Sequence, residues 1–269
     1  MINFEEMEAK YKKMGVETPK KEMIKTLEQI EGIRKAGVIN NKVLDEVASQ
    51  IHVGMSTEEI NTIVHNKTIE LGGIPAPLNY EGFPKSVCTS INDAVCHGIP
   101  SEKDILKNGD IINVDCTTIY NGYYADASRM FCIGDCSKTA LDLVKVTKES
   151  LDLAVKSLHP YSRLRDIGYV IEKYVKAHGY SVVHEIGGHG VGIDFHEDPF
   201  FYHYVKKVTG MVLFPGMVFT IEPMVNEGTR HVFLDASNDW TIYTDDGGLS
   251  AQFEYTVLIT EDGVEILAS

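Results

Sequence analysis

Six side chains of this sequence are of the right type and spacing to do chemistry together. His189 sits among four glycines in Gly187-Gly188-His189-Gly190-Val191-Gly192, and His196 follows seven residues later in Phe195-His196-Glu197. Histidine is the commonest protein metal ligand and the side chain most readily poised for proton transfer near neutral pH. The glycines let a backbone take unusual conformations and let other groups come close, so the stretch reads as a ligand-holding loop and not as a helix or an ordinary strand. Four acids complete the set: Asp115, Asp126, Glu222 and Glu254. Four carboxylates with one imidazole suit two divalent cations, and the oxygen-rich donor set fits Mn, Fe, Co or Zn better than calcium. Paired metals can hold a hydroxide and polarise a carbonyl, a carboxylate beside them can shuttle a proton, and further histidines can donate to an oxyanion. That chemistry is hydrolysis, of an amide above all.

The elements that must position these groups are legible. Ile111 to Tyr120 and Tyr123 to Phe131 flank Asn121-Gly122, the signature of a two-residue hairpin turn. With that turn Tyr120 faces Tyr123 and Asp126 faces Thr117, so Asp115 and Asp126 become diagonal neighbours on one face, roughly 7–8 Å apart at Cα. Val218 to Val225 reads as a strand with Thr220 and Glu222 on one face. A last strand over 250–260 sets Gln252, Glu254 and Thr256 on one face and Phe253, Tyr255 and Val257 on the other.

The chain also resembles itself. Each half offers a helix pair, a His-Gly-apolar triplet (His97-Gly98-Ile99 and His189-Gly190-Val191), and a β run with an acid six residues after a glycine (Asp115 and Glu222). A second acid closes each half, Asp126 and Glu254. Such repetition predicts two related halves with equivalent residues meeting at a pseudo-two-fold axis: an α+β fold whose duplicated antiparallel sheet is flanked by two helix pairs. The first pair runs from Leu27 to about residue 52 and from Ser56, as N-cap with Glu59, to Gly72-Gly73. The second runs from Ala140 to Leu158 and from Leu164 to Gly179. Residues 1–24 form a charged lead-in with Phe4, Met7, Tyr11 and Met14 at helical spacing, an arm packed on a single domain of residues 25–269.

Composition narrows the function. A net charge of −14 over 269 residues argues against a nucleic-acid or anionic-membrane surface, and no apolar run is long enough for a membrane span. Five cysteines, an odd number without a framework spacing, suit reduced thiols in a cytoplasmic protein. Cys132 and Cys136 lack the second pair that a structural zinc site needs. Tyr80, Phe83, Phe195 and Trp240 suit either core or the lining of a substrate pocket.

These motifs resemble those of the type I methionine aminopeptidases over residues 25 to the C-terminus. The resemblance rests on Pro84-Lys85-Ser86-Val87-Cys88, Asn92-Asp93-Ala94-Val95-Cys96-His97-Gly98-Ile99-Pro100, the Asp115/Asp126 hairpin, Gly188-His189-Gly190, Phe195-His196-Glu197, Thr220-Ile221-Glu222-Pro223 and Ser250-Ala251-Gln252-Phe253-Glu254. It implies the pita-bread fold and removal of the initiator methionine from nascent chains with a small second residue. It further implies Asp115, Asp126, His189, Glu222 and Glu254 as metal ligands, with Glu222 also the proton shuttle. His97 and His196 are implied as substrate contacts that stabilise the tetrahedral intermediate, and Tyr80, Phe83, Cys88, Phe195 and Trp240 as the methionine pocket. Backbone carbonyls of Asn92, Ala94 and Ser250 match a monovalent-cation site. Pro77 and Phe83 depart from the family pattern at the pocket rim. Residues 1–24 lack the zinc-finger cysteines of eukaryotic members, and no long insertion of the type II kind precedes the final strands. Nascent peptide N-termini, and with them the ribosome, are the implied partners of a monomer. The competing readings are a proline-specific aminopeptidase or dipeptidase on the same fold, and a non-catalytic binding protein that has kept the scaffold.

Overall fold

The computed structural model describes residues 4–208 and 210–269. The first half runs α1 (Phe4–Lys13), α2 (Leu27–Gln50), α3 (Thr57–Glu70), β1 (Ile74–Pro75), β2 (Cys88–Ile91), β3 (Ala94–Cys96), β4 (Ile111–Tyr120) and β5 (Tyr123–Cys132). The second runs α4 (Lys138–Ser157), α5 (Leu164–Ala177), β6 (Ser181–Val182), β7 (Gly187–Gly190), β8 (Glu197–Tyr202), β9 (Val218–Ile221) and β10 (Met224–Asn226). It closes with β11 (Val232–Leu234), β12 (Ile242–Thr244), β13 (Ser250–Gln252), β14 (Tyr255–Ile259) and β15 (Val264–Ala268).

Local rules set the helix ends. Ser56 and Glu59 cap α3 reciprocally, as the sequence predicts, and Thr26 and Gln29 do the same for α2. The helix α2 stops at Gln50 because Ile51 turns to an extended conformation. In α1, Phe4 meets Phe214 edge-on at 5.7 Å and Tyr11 stacks on Tyr161 at 5.9 Å, so the arm does pack on the domain. Met14 does not share that face: it lies past the helix end and is exposed.

Two sheets carry the site. One is β1-β4-β2 with β5 paired to β4, and the other is β15-β14-β9-β7-β8. The hairpin register is the expected one, with Tyr120 opposite Tyr123 and Thr117 opposite Asp126, and Asn121 and Gly122 both take positive φ at the turn. The sheets join where Ser128 and Glu254 exchange backbone hydrogen bonds at 3.4 and 3.1 Å, and Thr256 brackets Asp126 through its hydroxyl. Asp126 and Glu254, the second acids of the two halves, therefore flank one antiparallel contact, whose own local symmetry is two-fold. Asp115 and Glu222 match by place but not by register. Asp126 faces Thr117, whereas the β9–β14 ladder, extended one step past Ile221–Tyr255, sets Glu254 against Glu222.

Two expected strands are broken. The run 218–225 is β9 in one sheet and β10 in another, and 250–260 is likewise split into β13 and β14. Pro223 has no N–H to continue a ladder, so the chain leaves the first sheet at Glu222. The strands β10 and β13 pair with each other in a separate sheet with β6. The hairpin β11–β12, which pairs with β3, and the final strand β15 add pairings that the sequence reading does not contain.

Each helix pair seals one half. Val43, Leu44 and Ile60 pack with Ile112 and Val114, while Leu143, Leu151, Ile167 and Ile171 pack with Phe219 and Val257. One polar contact ties α2 to the hairpin within the first of these layers: Thr118 Oγ1 donates to Asn40 Oδ1 at 2.7 Å, with both residues buried. Thr118→Val leaves that oxygen without its donor and is expected to lower stability by about 1–3 kcal/mol. Urea melts of the two proteins check it, and equal midpoints would show that the contact contributes nothing.

Candidate metal centre

At the junction of the two sheets, five donors from both halves point into one space. Asp115 and Asp126 come from β4 and β5, Glu222 and Glu254 from the breaks after β9 and before β14, and His189 from β7. One ligand atom each of Asp126, His189 and Glu254 lie within 4.8 Å of one another. His189 Nε2 stands 3.6 Å from Glu222 Oε1 and 3.9 Å from Asp126 Oδ2. Asp115 lines the same cavity as Asp126 and Glu254, with its carboxyl buried beside theirs.

The electrostatics are those of carboxylates awaiting positive charge. Burial pushes Asp115 up to about 7 and Glu222 up to about 8. Burial, then the neighbouring acids, raises Asp126 and Glu254 well above the usual carboxylate range. Only part of the lone-pair capacity is used. Thr117 Oγ1 donates to Asp126 at 2.8 Å, and Thr220 Oγ1 and Gln252 Nε2 donate to Glu222 at 2.7 and 3.3 Å. Glu254 Oε1 is buried with no hydrogen-bond partner. His189 is held neutral, pushed down to about 4 by burial and then by His196. Its Nδ1 is 2.9 Å from the Gly190 carbonyl, so Nδ1 carries the proton and the Nε2 lone pair faces the acids. An orphaned carboxylate oxygen, three further acids and a free imidazole lone pair are the donor set of a divalent-metal site.

Contrary to expectation, His189 is not on a loop. Gly187–Gly190 is a strand between β8 and β9, and only the turn between Gly190 and Glu197 is irregular. The glycines serve close approach: a Cβ on Gly190 would lie 2.3 Å from the Asp198 carbonyl oxygen, and one on Gly187 2.0 Å from that of Phe201. A strand holds the imidazole more rigidly than a loop would.

A cavity of about 610 Å³ opens onto the acids. Cys88, opposite Asp115 in the β2–β4 ladder, forms part of its wall. Phe83 meets Trp240 edge-on at 5.1 Å, and Tyr80 lies against Phe195 at 4.7 Å. His97, in a left-handed conformation, and the more exposed His196 line the cavity. His196 is 4.2 Å from the His189 ring, and its Nδ1 is 2.9 Å from the Tyr80 hydroxyl, leaving Nε2 for the cavity. Burial, then His196, pushes His97 down to about 4, so it too is neutral. Pro77 also lines the cavity. Outside it, the Asn92 carbonyl accepts the Ser250 N–H at 2.8 Å, which brings two of the three expected cation-binding carbonyl residues together.

Sequence reasoning missed two supports. His203, which no sequence motif marks, is buried and its Nε2 accepts the Glu222 N–H at 3.1 Å. The break at Pro223 takes that amide out of the ladder, and no spacing rule links it to a residue nineteen positions away. Lys25, which pairs with Glu197 beneath the His196 turn, also carried no local signal.

Comparison with known proteins agrees with this site. The model of metallopeptidase family M24 matches residues 31–261. Methionine aminopeptidase A of Synechocystis sp. is 50% identical over 240 residues, covering 89% of this chain and 94% of the relative. Methionine aminopeptidase of Escherichia coli is 45% identical over 245 residues, covering 91% and 92%. The crystal structure of methionine aminopeptidase from Rickettsia prowazekii superposes with a TM-score of 0.89 at 43% identity, over 91% of this chain and 99% of that one. With five donors converging at the seam of a duplicated sheet and these likenesses spanning nearly the whole chain, the protein belongs to metallopeptidase family M24 and, within it, to the methionine aminopeptidases.

Proposed function

We propose that this chain releases the initiator methionine from peptide N-termini whose second residue is small, and that Asp115, Asp126, His189, Glu222 and Glu254 hold two divalent ions for that reaction. The observation that carries the reading is the group of four buried acids around one neutral imidazole, at the floor of a cavity with an aromatic wall. Asp126 and Glu254, flanking the two-fold contact, would serve both ions, while His189 and Glu222 would hold one and Asp115 the other. When bound, such ions lower the pKa of a coordinated water and polarise the scissile carbonyl; Mn, Fe, Co and Zn all suit the donors.

The chain's own groups do the rest. Glu222, fixed by Thr220 through Oε1, takes the proton of the attacking water at Oε2 and returns it to the leaving amine. His97 and His196, both neutral, donate N–H groups to the carbonyl oxygen as charge develops there and to the peptide amide. Tyr80, Phe83, Cys88, Phe195 and Trp240 enclose the methionine side chain; Phe83 and Cys88 are themselves buried, so the pocket has a rigid back wall. A monovalent cation on the carbonyls of Asn92, Ala94 and Ser250 belongs to the same reading. So do a monomer, a cytoplasmic location and nascent chains at the ribosome as the source of substrate. The net charge of −14 supports a partner other than bare nucleic acid, and among the described residues no helix is long and apolar enough to cross a membrane.

Metal-stripped protein is expected to release methionine from Met-Ala-Ser once Mn, Fe, Co or Zn is restored, to release little from Met-Leu-Ser and to leave Ala-Pro-Ala intact. Cleavage of the proline peptide alone would overturn the reading.

The raised carboxyl groups also set a pH dependence. Their folded pKa values lie above the unfolded ones, so the metal-free fold binds extra protons. Its stability is full below the ordinary carboxyl range and is lost as pH rises through about 7 to 8, the values of Asp115 and Glu222. Thermal melts of metal-free protein should therefore fall between acid and neutral pH, and saturating divalent metal should remove the fall. Glu254→Gln should raise the melting temperature of the metal-free form at neutral pH, because it removes a carboxyl that burial and the neighbouring acids force to keep its proton on folding, while abolishing metal-dependent methionine release. A lower melting temperature for the metal-free variant would contradict this account of the acids.

A further inference from the structure

We infer that Lys25 is a positioning residue for the turn that presents Phe195 and His196 to the substrate, and that it acts through Glu197. The inference rests on the role proposed above for His196. Glu197 is the first residue of β8 and folds its side chain back under that turn: Oε1 accepts the N–H groups of Ile193 and Asp194 at 2.6 and 3.0 Å. Its other oxygen takes the ammonium of Lys25. The pair is sequestered, with the Lys25 side chain 2% exposed and that of Glu197 15% exposed. An exposed pair contributes little, and the neighbouring Lys20–Asp198 contact at 2.9 Å, with both side chains more than half exposed, is of that kind. A buried carboxylate stripped of its cation is strongly unfavourable, so Glu197 can close the turn only while Lys25 is beside it.

Lys25 itself is fixed by its backbone. Its N–H donates to the Gly216 carbonyl at 2.8 Å, Ile24 bridges to Met217, and Thr26 caps α2. The turn packs closely against the same neighbours: a Cβ on Gly192 would lie 2.4 Å from Ile33 Cδ1 and 3.5 Å from Lys25 Cε. What the turn carries moves with it: Phe195 and His196 stack at 4.4 Å, and His196 reaches both the Tyr80 hydroxyl and the His189 ring. The residue that joins the N-terminal arm to α2 thus governs where a substrate-facing imidazole stands.

The test pairs hydrogen exchange over residues 191–198 with steady-state cleavage of Met-Ala-Ser, for the wild type, Lys25→Met, Lys25→Arg and the double variant Lys25→Met/Glu197→Gln. In Lys25→Met, exchange at Ile193 and Asp194 is expected to rise by about tenfold or more. Activity, kcat/KM, should fall about 100-fold, the scale for a catalytic contact displaced by about 1 Å. Bound metal, measured by elemental analysis, should be unchanged. Lys25→Arg should restore most of both, and the double variant should regain exchange protection, since a neutral amide oxygen can accept the same two N–H groups without an unpaired charge. Unchanged exchange in Lys25→Met, lost protection with unchanged kinetics, or an activity loss reversed by excess metal would each overturn the inference. Should Lys25→Met fail to fold, Glu197→Ala removes the acceptor itself, and unchanged exchange and kcat there would overturn it. A wild type that cleaves no peptide would instead sink the proposed function, and the exchange data would still decide whether Lys25 holds the turn.

Discussion

Everything in this structure is arranged around the burial of four carboxyl groups in one small volume. Burial lifts Asp115 to about 7 and Glu222 to about 8. Such a cluster is unfavourable in isolation, and the rest of the fold makes it tolerable and useful. Two helix pairs and two apolar layers hold the sheets together from outside, and the contact of Ser128 with Glu254 brings the two halves edge to edge.

The two aspartates are placed by strand geometry, and the two glutamates by its interruption. Asp115 and Asp126 are diagonal neighbours across a regular hairpin. Glu222 and Glu254 lie where strands leave one sheet for another, at Pro223 and at Phe253-Glu254. A broken ladder exposes an amide, and the fold answers with His203 beneath Glu222. The threonines at 117, 220 and 256 have the same function, each spending its hydroxyl on a carboxylate or on the backbone that carries one. The candidate ligands are thus oriented by neighbours outside the donor set.

Rigidity also explains the glycines. They permit backbone contact between β7 and β8, so that His189 stands on a strand and its Nε2 lone pair has one direction. The turn with Phe195 and His196 is irregular and is closed by Glu197 from below.

The sequence by itself determined the elements governed by short-range rules. The Asn121-Gly122 turn set the hairpin register, and with it the face shared by Asp115 and Asp126. Capping residues marked where α3 begins, and the repeated pattern of acids marked both halves and the four acids of the candidate site. The tertiary structure alone decided what depends on partners distant in sequence. Thr256 reaches Asp126 across 130 residues, His203 supplies the acceptor for Glu222, and Lys25 meets Glu197 across 172 residues. It also decided that the His189 stretch is a strand and that the runs 218–225 and 250–260 divide between sheets. The reason is the same in each case: a hydrogen-bond donor or a counter-charge is chosen by which backbone groups packing has left unpaired, and no local pattern of residue types records that.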